Sequence, residues 1–139
     1  MTERVLTVVH IDAVDAVQAI LNTGLPLINE NPLVVSRVPD ERPDRFWRVD
    51  RAGGEPNTPI TDQPRMVIEC WSPTEAVGAQ DAAIAWAILR SYRNSVVDSY
   101  QIGRVDGGSI ANFPDPLSHQ PRHVLTFTVM VKGYYFNLS

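Results

Sequence analysis

Three histidines, one cysteine and a stretch of arginines are the residues whose types admit chemistry. His119 and His123 stand four apart, a spacing that binds metal when both lie on one helical face. Pro121 falls between them and argues against a helix there. With Asp115 they would make an Asp115/His119/His123 site for a small metal-assisted hydrolase. Loop histidines ahead of a strand edge are the plainer account. Cys70, between Glu69 and Trp71, would need a nearby base and an electropositive setting to act as a nucleophile. The helix beginning near Pro73 keeps that reading open, but a buried strand cysteine fits better. The sequence contains no Gly-x-Ser-x-Gly elbow, phosphate-binding glycine-lysine loop or dinucleotide fingerprint. The pairs Gly53-Gly54 and Gly107-Gly108 lack the following helix and lysine of a phosphate cradle. No catalytic residue, metal ligand or cofactor is therefore assigned.

Surface contact is the better-supported use of the remaining residues. Arg37, Arg42, Arg45, Arg48 and Arg51 are interleaved with Asp40, Glu41, Asp44 and Asp50. The near-neutral mixture suits a solvated loop or a salt-bridged subunit contact better than a DNA groove. Phe46, Trp47, Tyr134, Tyr135 and Phe136 lie at loop edges and near the chain end, where aromatic side chains anchor interfaces. Core packing is nearly as good an account for Phe46 and Trp47. Tyr134-Tyr135-Phe136 points to an interface, because consecutive strand residues cannot all face one core. Gly53, Gly54 and Pro56 sit in a long loop, and Trp86 lies partly off its helix's apolar stripe, towards a loop or a neighbouring subunit.

These residues need a frame, and the chain reads as α+β. Asp12 caps a first helix, with Val14, Val17, Ile20 and Leu21 at helical spacing. Gly24 is its expected C-terminal cap, and Leu25-Pro26 stops any continuation. The preceding segment, Val5 to Ile11, reads equally as a short strand or as more helix. Strands are expected over Leu33–Val38, Phe46–Arg51 and Arg65–Trp71, with exposed loops over Pro39–Asp44 and Ala52–Pro59. Ser72-Pro73-Thr74-Glu75 reads as a serine-capped helix start with proline at the first position. That helix runs to about Tyr92 or Asn94. Its stripe is Val77, Ile84, Ala85, Ile88 and Leu89, with Asp81 near the edge. Strands follow over Ser99–Val105 and Ser109–Phe113, separated by an Asp106-Gly107-Gly108 turn. Arg122 to Phe136 is a long terminal strand. Its side chains alternate, which implies an antiparallel partner and one wet or subunit-facing side.

Composition bounds the rest. At 139 residues and 44% hydrophobic, the chain is expected to be one domain over 1–139 with a real core. A lone cysteine excludes an intramolecular disulfide or a cysteine zinc cluster. Twelve basic against sixteen acidic residues give a net charge of -4, which argues against a broad nucleic-acid surface. No apolar run approaches the ~18 residues of a membrane span, and Met1-Thr2-Glu3-Arg4 opens no signal-peptide pattern. Eleven prolines and eight glycines cluster between the periodic segments and imply long ordered loops.

The order of elements and several local patterns resemble the tail terminator proteins of long-tailed bacteriophages. The residues that carry the likeness are Arg48-Val49-Asp50-Arg51-Ala52-Gly53-Gly54 and Asp62-Gln63-Pro64-Arg65-Met66-Val67-Ile68-Glu69-Cys70-Trp71. The alanine-rich helix Glu75 to Leu89 and Val105-Asp106-Gly107-Gly108 continue it. The resemblance implies a mixed or mostly antiparallel sheet with two main helices packed on it. It also implies a non-enzymatic virion role at the head-proximal neck, with assembly in the host cytoplasm. Such proteins form a hexameric ring that caps the tail tube, stops its polymerisation and offers a face to head-completion or connector proteins. The implied partners are thus further copies of the chain, the tube protein and a connector, with no membrane. DNA would pass through the ring without specific binding. Arg42, Arg45, Phe46, Trp47, Gly53, Gly54, Pro56, Trp86, Tyr134, Tyr135 and Phe136 are the candidate contacts to a subunit or the tube. Another head-tail connector is the nearest alternative. The hydrolase, and a small-ligand-binding domain with a pocket beneath the Ala52–Pro64 loop, are rivals of different classes.

Overall fold

A computed structural model describes the backbone of residues 6–137 and the side chains of residues 7–135. The elements in chain order are β1 (Leu6–Val9), α1 (Ala13–Leu27), β2 (Leu33–Val35), β3 (Phe46–Gly53), β4 (Thr61–Asp62) and β5 (Arg65–Trp71). They continue with α2 (Glu75–Ser91), β6 (Val96–Val97), β7 (Tyr100–Asn112), β8 (Arg122–Lys132) and β9 (Tyr134–Asn137). The fold is α+β, with two helices on a seven-stranded mixed sheet of order β2-β3-β5-β8-β7-β6, and β4 pairing β8 beside β5. The β2–β3 pair is parallel and the other pairs are antiparallel. β1 and β9 form a separate antiparallel ribbon.

The core lies between the helices and one sheet face. Register brings Val49, Ile68 and Leu125 into one row across β3, β5 and β8, and Met66 beside Phe127 into the next. Burial along β8 alternates from His123 to Val131, as period-2 geometry requires. From above, α1 buries Val17, Ile20 and Leu21, and α2 buries Ala82, Ala85, Ile88 and Leu89. Gly24 of α1 allows α2 to approach closely: a Cβ there would lie 2.6 Å from Ile88.

Several boundaries differ from the sequence expectation, each for a local reason. Gly24 is used for helix packing, so α1 passes through it and through Pro26. Asn29, at φ 57°, then leaves the helix in the left-handed region. Asp12 does cap α1, accepting from Val14 and Asp15 amides at 3.0 and 3.3 Å. The cap of α2 is Thr74 and not Ser72: Thr74 Oγ1 accepts from Val77 N at 3.2 Å. Ser72 is buried and donates to the Thr74 carbonyl at 2.7 Å, which leaves Pro73 outside the helix.

No turn interrupts β7 at Gly107-Gly108. The strand runs through a bulge there, with Gly107 at φ 71°. Trp86 is the reason, because a Cβ on Gly108 would lie 2.3 Å from its indole. The expected strand Arg122–Phe136 is two strands, broken at Gly133. Its amide donates to the Ile60 carbonyl at 2.7 Å, and a Cβ there would meet the Val9 carbonyl at 2.6 Å. The hairpin of β6 with β7 was not anticipated; Asp98, at φ 53°, makes its turn. No helix among the described residues is long and apolar enough to cross a membrane.

Candidate subunit interface

Loop Gly54–Ile60 leaves the sheet between β3 and β4 as an ordered arm. Gly54, at φ 88°, has no room for a Cβ, which would lie 2.4 Å from the Gln63 carbonyl. Arg51 ties the base together. Its guanidinium makes a two-point contact to Asp62 at 2.7 and 3.2 Å and also donates to the Gly53 and Gly54 carbonyls. Asp62 is 3% exposed, so this carboxylate has exchanged water for a fixed partner. Further out, Asn57 N and Thr58 N both donate to the Thr61 carbonyl, and Pro56 bridges to Asp62. Residues 54–59, Pro56 among them, are exposed. The loop is thus held as a shape while its outer surface faces solvent.

A second pinned cluster lies inside. Asp81 of α2, 2% exposed, accepts from Arg45 Nε at 2.9 Å and Nη2 at 2.8 Å, and from Trp47 Nε1 at 3.1 Å. Arg45 Nη2 also reaches Glu30 at 2.8 Å. Asp81's hydrogen bond holds the guanidinium more firmly charged than usual, with burial opposing. The cluster ties the α1–β2 connection, β3 and α2 together. Arg45 is therefore a half-buried structural ion-pair residue, and Trp47 is a core residue with no surface to offer a partner. Phe46 is fully buried on the other face of β3, stacked on Trp71 with ring centroids 5.2 Å apart. Its place under that indole corrects the interface reading in favour of packing.

Trp86 faces its own chain. It covers Gly108, sits 6.2 Å from Phe127 and carries Arg90 over its ring at 5.5 Å. Tyr134 and Tyr135 are 50% and 63% exposed on the β1–β9 ribbon. The backbone of Phe136 pairs with Thr7, while its side chain lies outside the described residues. Gly53, at φ 133°, has open space around it. Arg42 is exposed and lies over the Trp71 ring at 5.3 Å. Of the candidate contacts, Arg42, Gly53, Gly54, Pro56, Tyr134 and Tyr135 are thus the described ones that are exposed, while Arg45 and Trp86 are half-buried.

Two residues near Arg42 escaped the sequence reading. Trp71 is buried against Phe46 and donates to Glu69 at 3.3 Å, and Arg122 lies over its ring at 5.2 Å. Register places Phe46, Trp71 and Arg122 side by side across β3, β5 and β8. No spacing within one segment signals such a grouping, since its members come from separate strands. Other exposed apolar side chains sit at Leu117 (91%), Leu27 (76%) and Val96 (66%), in a loop, a helix end and an edge hairpin respectively.

The residues with chemical potential do not converge. Asp115 accepts from the Ser118 amide and hydroxyl at 2.9 and 2.6 Å, bonds that hold its carboxyl below the usual range. His119 is exposed in the loop, whereas His123 is buried on the helix-facing side of β8. Among the described residues no group of three His, Cys, Asp or Glu is arranged to hold a metal. Cys70 is fully buried opposite His123 in the register. Burial above all, then the charge of Asp81, push its thiol well up, with Arg45 opposing. A protonated, enclosed thiol is a poor nucleophile. The pocket expected beneath the Ala52–Pro64 loop is a shallow, open surface beside Gly54, Gln63, Arg65 and Thr128. No protein-family model matches this chain, and no curated protein matches it in sequence.

Proposed function

We propose that this chain is a bacteriophage tail terminator, a structural protein that closes into a hexameric ring on the head-proximal end of the tail tube. The observation that carries the reading is the arm at residues 54–59, exposed along its length yet tied at its base to the buried carboxylate of Asp62. The β3–β4 connection, residues 54–60, is close to the usual connector length of ~4–6 residues, so its exposure above a pinned base, and not its length, is what marks it. Ordering it opposes chain entropy, and a contact made by the arm gives that order a use. The sequence likeness over Arg48–Gly54, Asp62–Trp71 and the α2 region supplies the family.

The mechanism is steric. One ring face satisfies the last tube subunits, and the opposite face presents a different surface, so no further tube subunit adds. That second face receives a head-completion or connector protein. A chain of net charge -4 suits a ring through which DNA passes without being held. The site of action is the neck of the virion, after assembly in the host cytoplasm. Polymerising purified tube protein with and without this chain tests the proposal. Tubes that stop growing at one end support it; tubes of unchanged length distribution at saturating chain reject it.

A further inference from the structure

Arg42 and Arg122 both place their guanidinium groups over the Trp71 indole, at 5.3 and 5.2 Å. Among the described residues neither makes an ion pair within 4.0 Å of a carboxylate, although, behind the Ser118 bonds, the charges of both reach Asp115 of the same chain and help lower its carboxyl. Arg122 uses Nε on the Phe113 carbonyl at 2.9 Å, which leaves its outer nitrogens unbonded. Stacking on an indole occupies the flat face of a guanidinium and leaves its in-plane N–H donors available. Phe46 backs the indole from within the sheet, so the platform under both arginines is rigid. Two oriented cations on one buried ring make a receptor for a carboxylate.

The matching carboxylate is at the far end of the sheet. Glu55 is the one charged residue of the arm at 54–60, it is exposed, and it makes no ion pair among the described residues. Its carbonyl accepts from Gln63 N at 3.3 Å, which places it beyond the β4 end of the β5 line. Trp71 closes the opposite end of that line, eight positions from Gln63. At ~3.3 Å per strand residue the two features are about 25 Å apart, so Glu55 cannot reach the arginines of its own chain. A carboxylate at one end and a pair of guanidinium groups at the other is the arrangement of a head-to-tail contact, which closes a ring when the rotation allows.

We propose that Glu55 on the arm of one copy docks between Arg42 and Arg122 of the next. This rests on the ring reading above and names the contact that closes it. The test uses the full chain as two separately tagged variants, Glu55→Cys and Arg42→Cys. Glu55 and Arg42 are exposed, Arg122 is half-buried, and native Cys70 is buried. Mixed under mild oxidation in the presence of tube ends, they are expected to form a disulfide-linked pair carrying both tags. Each variant alone is expected to form at least tenfold less. Charge reversal gives a second readout. Glu55→Arg is expected to reduce the multi-copy species at least tenfold, and adding Arg42→Glu and Arg122→Glu in the same chain restores it. Rings that form with neither the crosslink nor sensitivity to Glu55→Arg overturn this contact and leave the ring reading standing. A chain that stays single on tube ends, with no crosslink, overturns both. Duplex DNA binding that is lost in Arg42→Glu would assign the arginines to phosphate and also overturn the proposal.

Discussion

Replacing Asp81 with alanine removes the acceptor of three interior hydrogen bonds, from Arg45 Nε, Arg45 Nη2 and Trp47 Nε1. Deleting one partner of a buried ion pair costs about 3–5 kcal/mol when the other charge is left enclosed. Arg45 is not fully enclosed: its side chain is 28% exposed and it keeps Glu30 at 2.8 Å. The lower end of that range therefore applies to the arginine. Trp47 is fully buried and its indole N–H is left without an acceptor, which costs about 1–3 kcal/mol. These losses overlap, because the same carboxylate serves both donors, and together they come to about 3–4 kcal/mol. With a urea slope of ~2 kcal/mol/M, the unfolding midpoint should fall by about 1.5–2 M. Asp50→Ala is the control. Its carboxylate is 52% exposed on Arg48 at 3.2 Å, so the loss should stay within about 1 kcal/mol. Asp81→Asn, which keeps the volume and one acceptor oxygen, should fall between the two. An Asp81→Ala midpoint within about 0.3 M of the Asp50→Ala value would refute the claim that this cluster locks the fold.

Other consequences are equally direct. Gly108→Ala forces the Trp86 indole to move, at about 1–3 kcal/mol; an unchanged melting temperature and near-ultraviolet dichroism would contradict the bulge's role. Arg51→Ala releases the arm's base, so limited proteolysis should cut within 54–60 faster than in wild type; equal rates would mean that Arg51 does not hold the arm. Cys70 should react with thiol reagents at pH 8 only as fast as the protein unfolds, and prompt labelling in native buffer would contradict its enclosure. Tyr100 donates to Asp15, and this bond above all pushes its phenol up to about 12. Its folded value is raised, so its stabilising effect is full below the unfolded value of about 10 and is lost as pH rises through the folded one. An ultraviolet titration should show one phenol ionising late, and Tyr100→Phe should abolish that step.

The strands and helices that bury regular faces were legible because periodicity records burial. Arg65–Trp71, Phe46–Arg51 and the Leu125/Phe127/Val129/Val131 alternation follow from the side on which each residue meets the helices. What escaped depends on contacts between distant segments. Gly24 looks like a helix stop until Ile88 is set against it, and Gly107-Gly108 looks like a turn until Trp86 lies over it. Ser72 matches the N-cap pattern, but its buried hydroxyl goes to Thr74 and passes the cap on. Asp81 reads as the edge of a stripe, because nothing local indicates that Arg45 and Trp47 converge on it. For the candidate interface, exposure of the arm and of Tyr134 and Tyr135 was legible from consecutive polar, proline and aromatic residues. Burial of Phe46 and Trp47 was not, since a strand with a large residue on both faces needs covering on both.

Imaging tube ends assembled with this chain is the most direct test of a terminating ring. A terminator is expected to add one ring at a single end of each tube, with six copies of the 15.5 kDa chain arranged head to tail and an open central hole. Bare tube ends at saturating chain, with all of the chain remaining as single copies in solution, would contradict it.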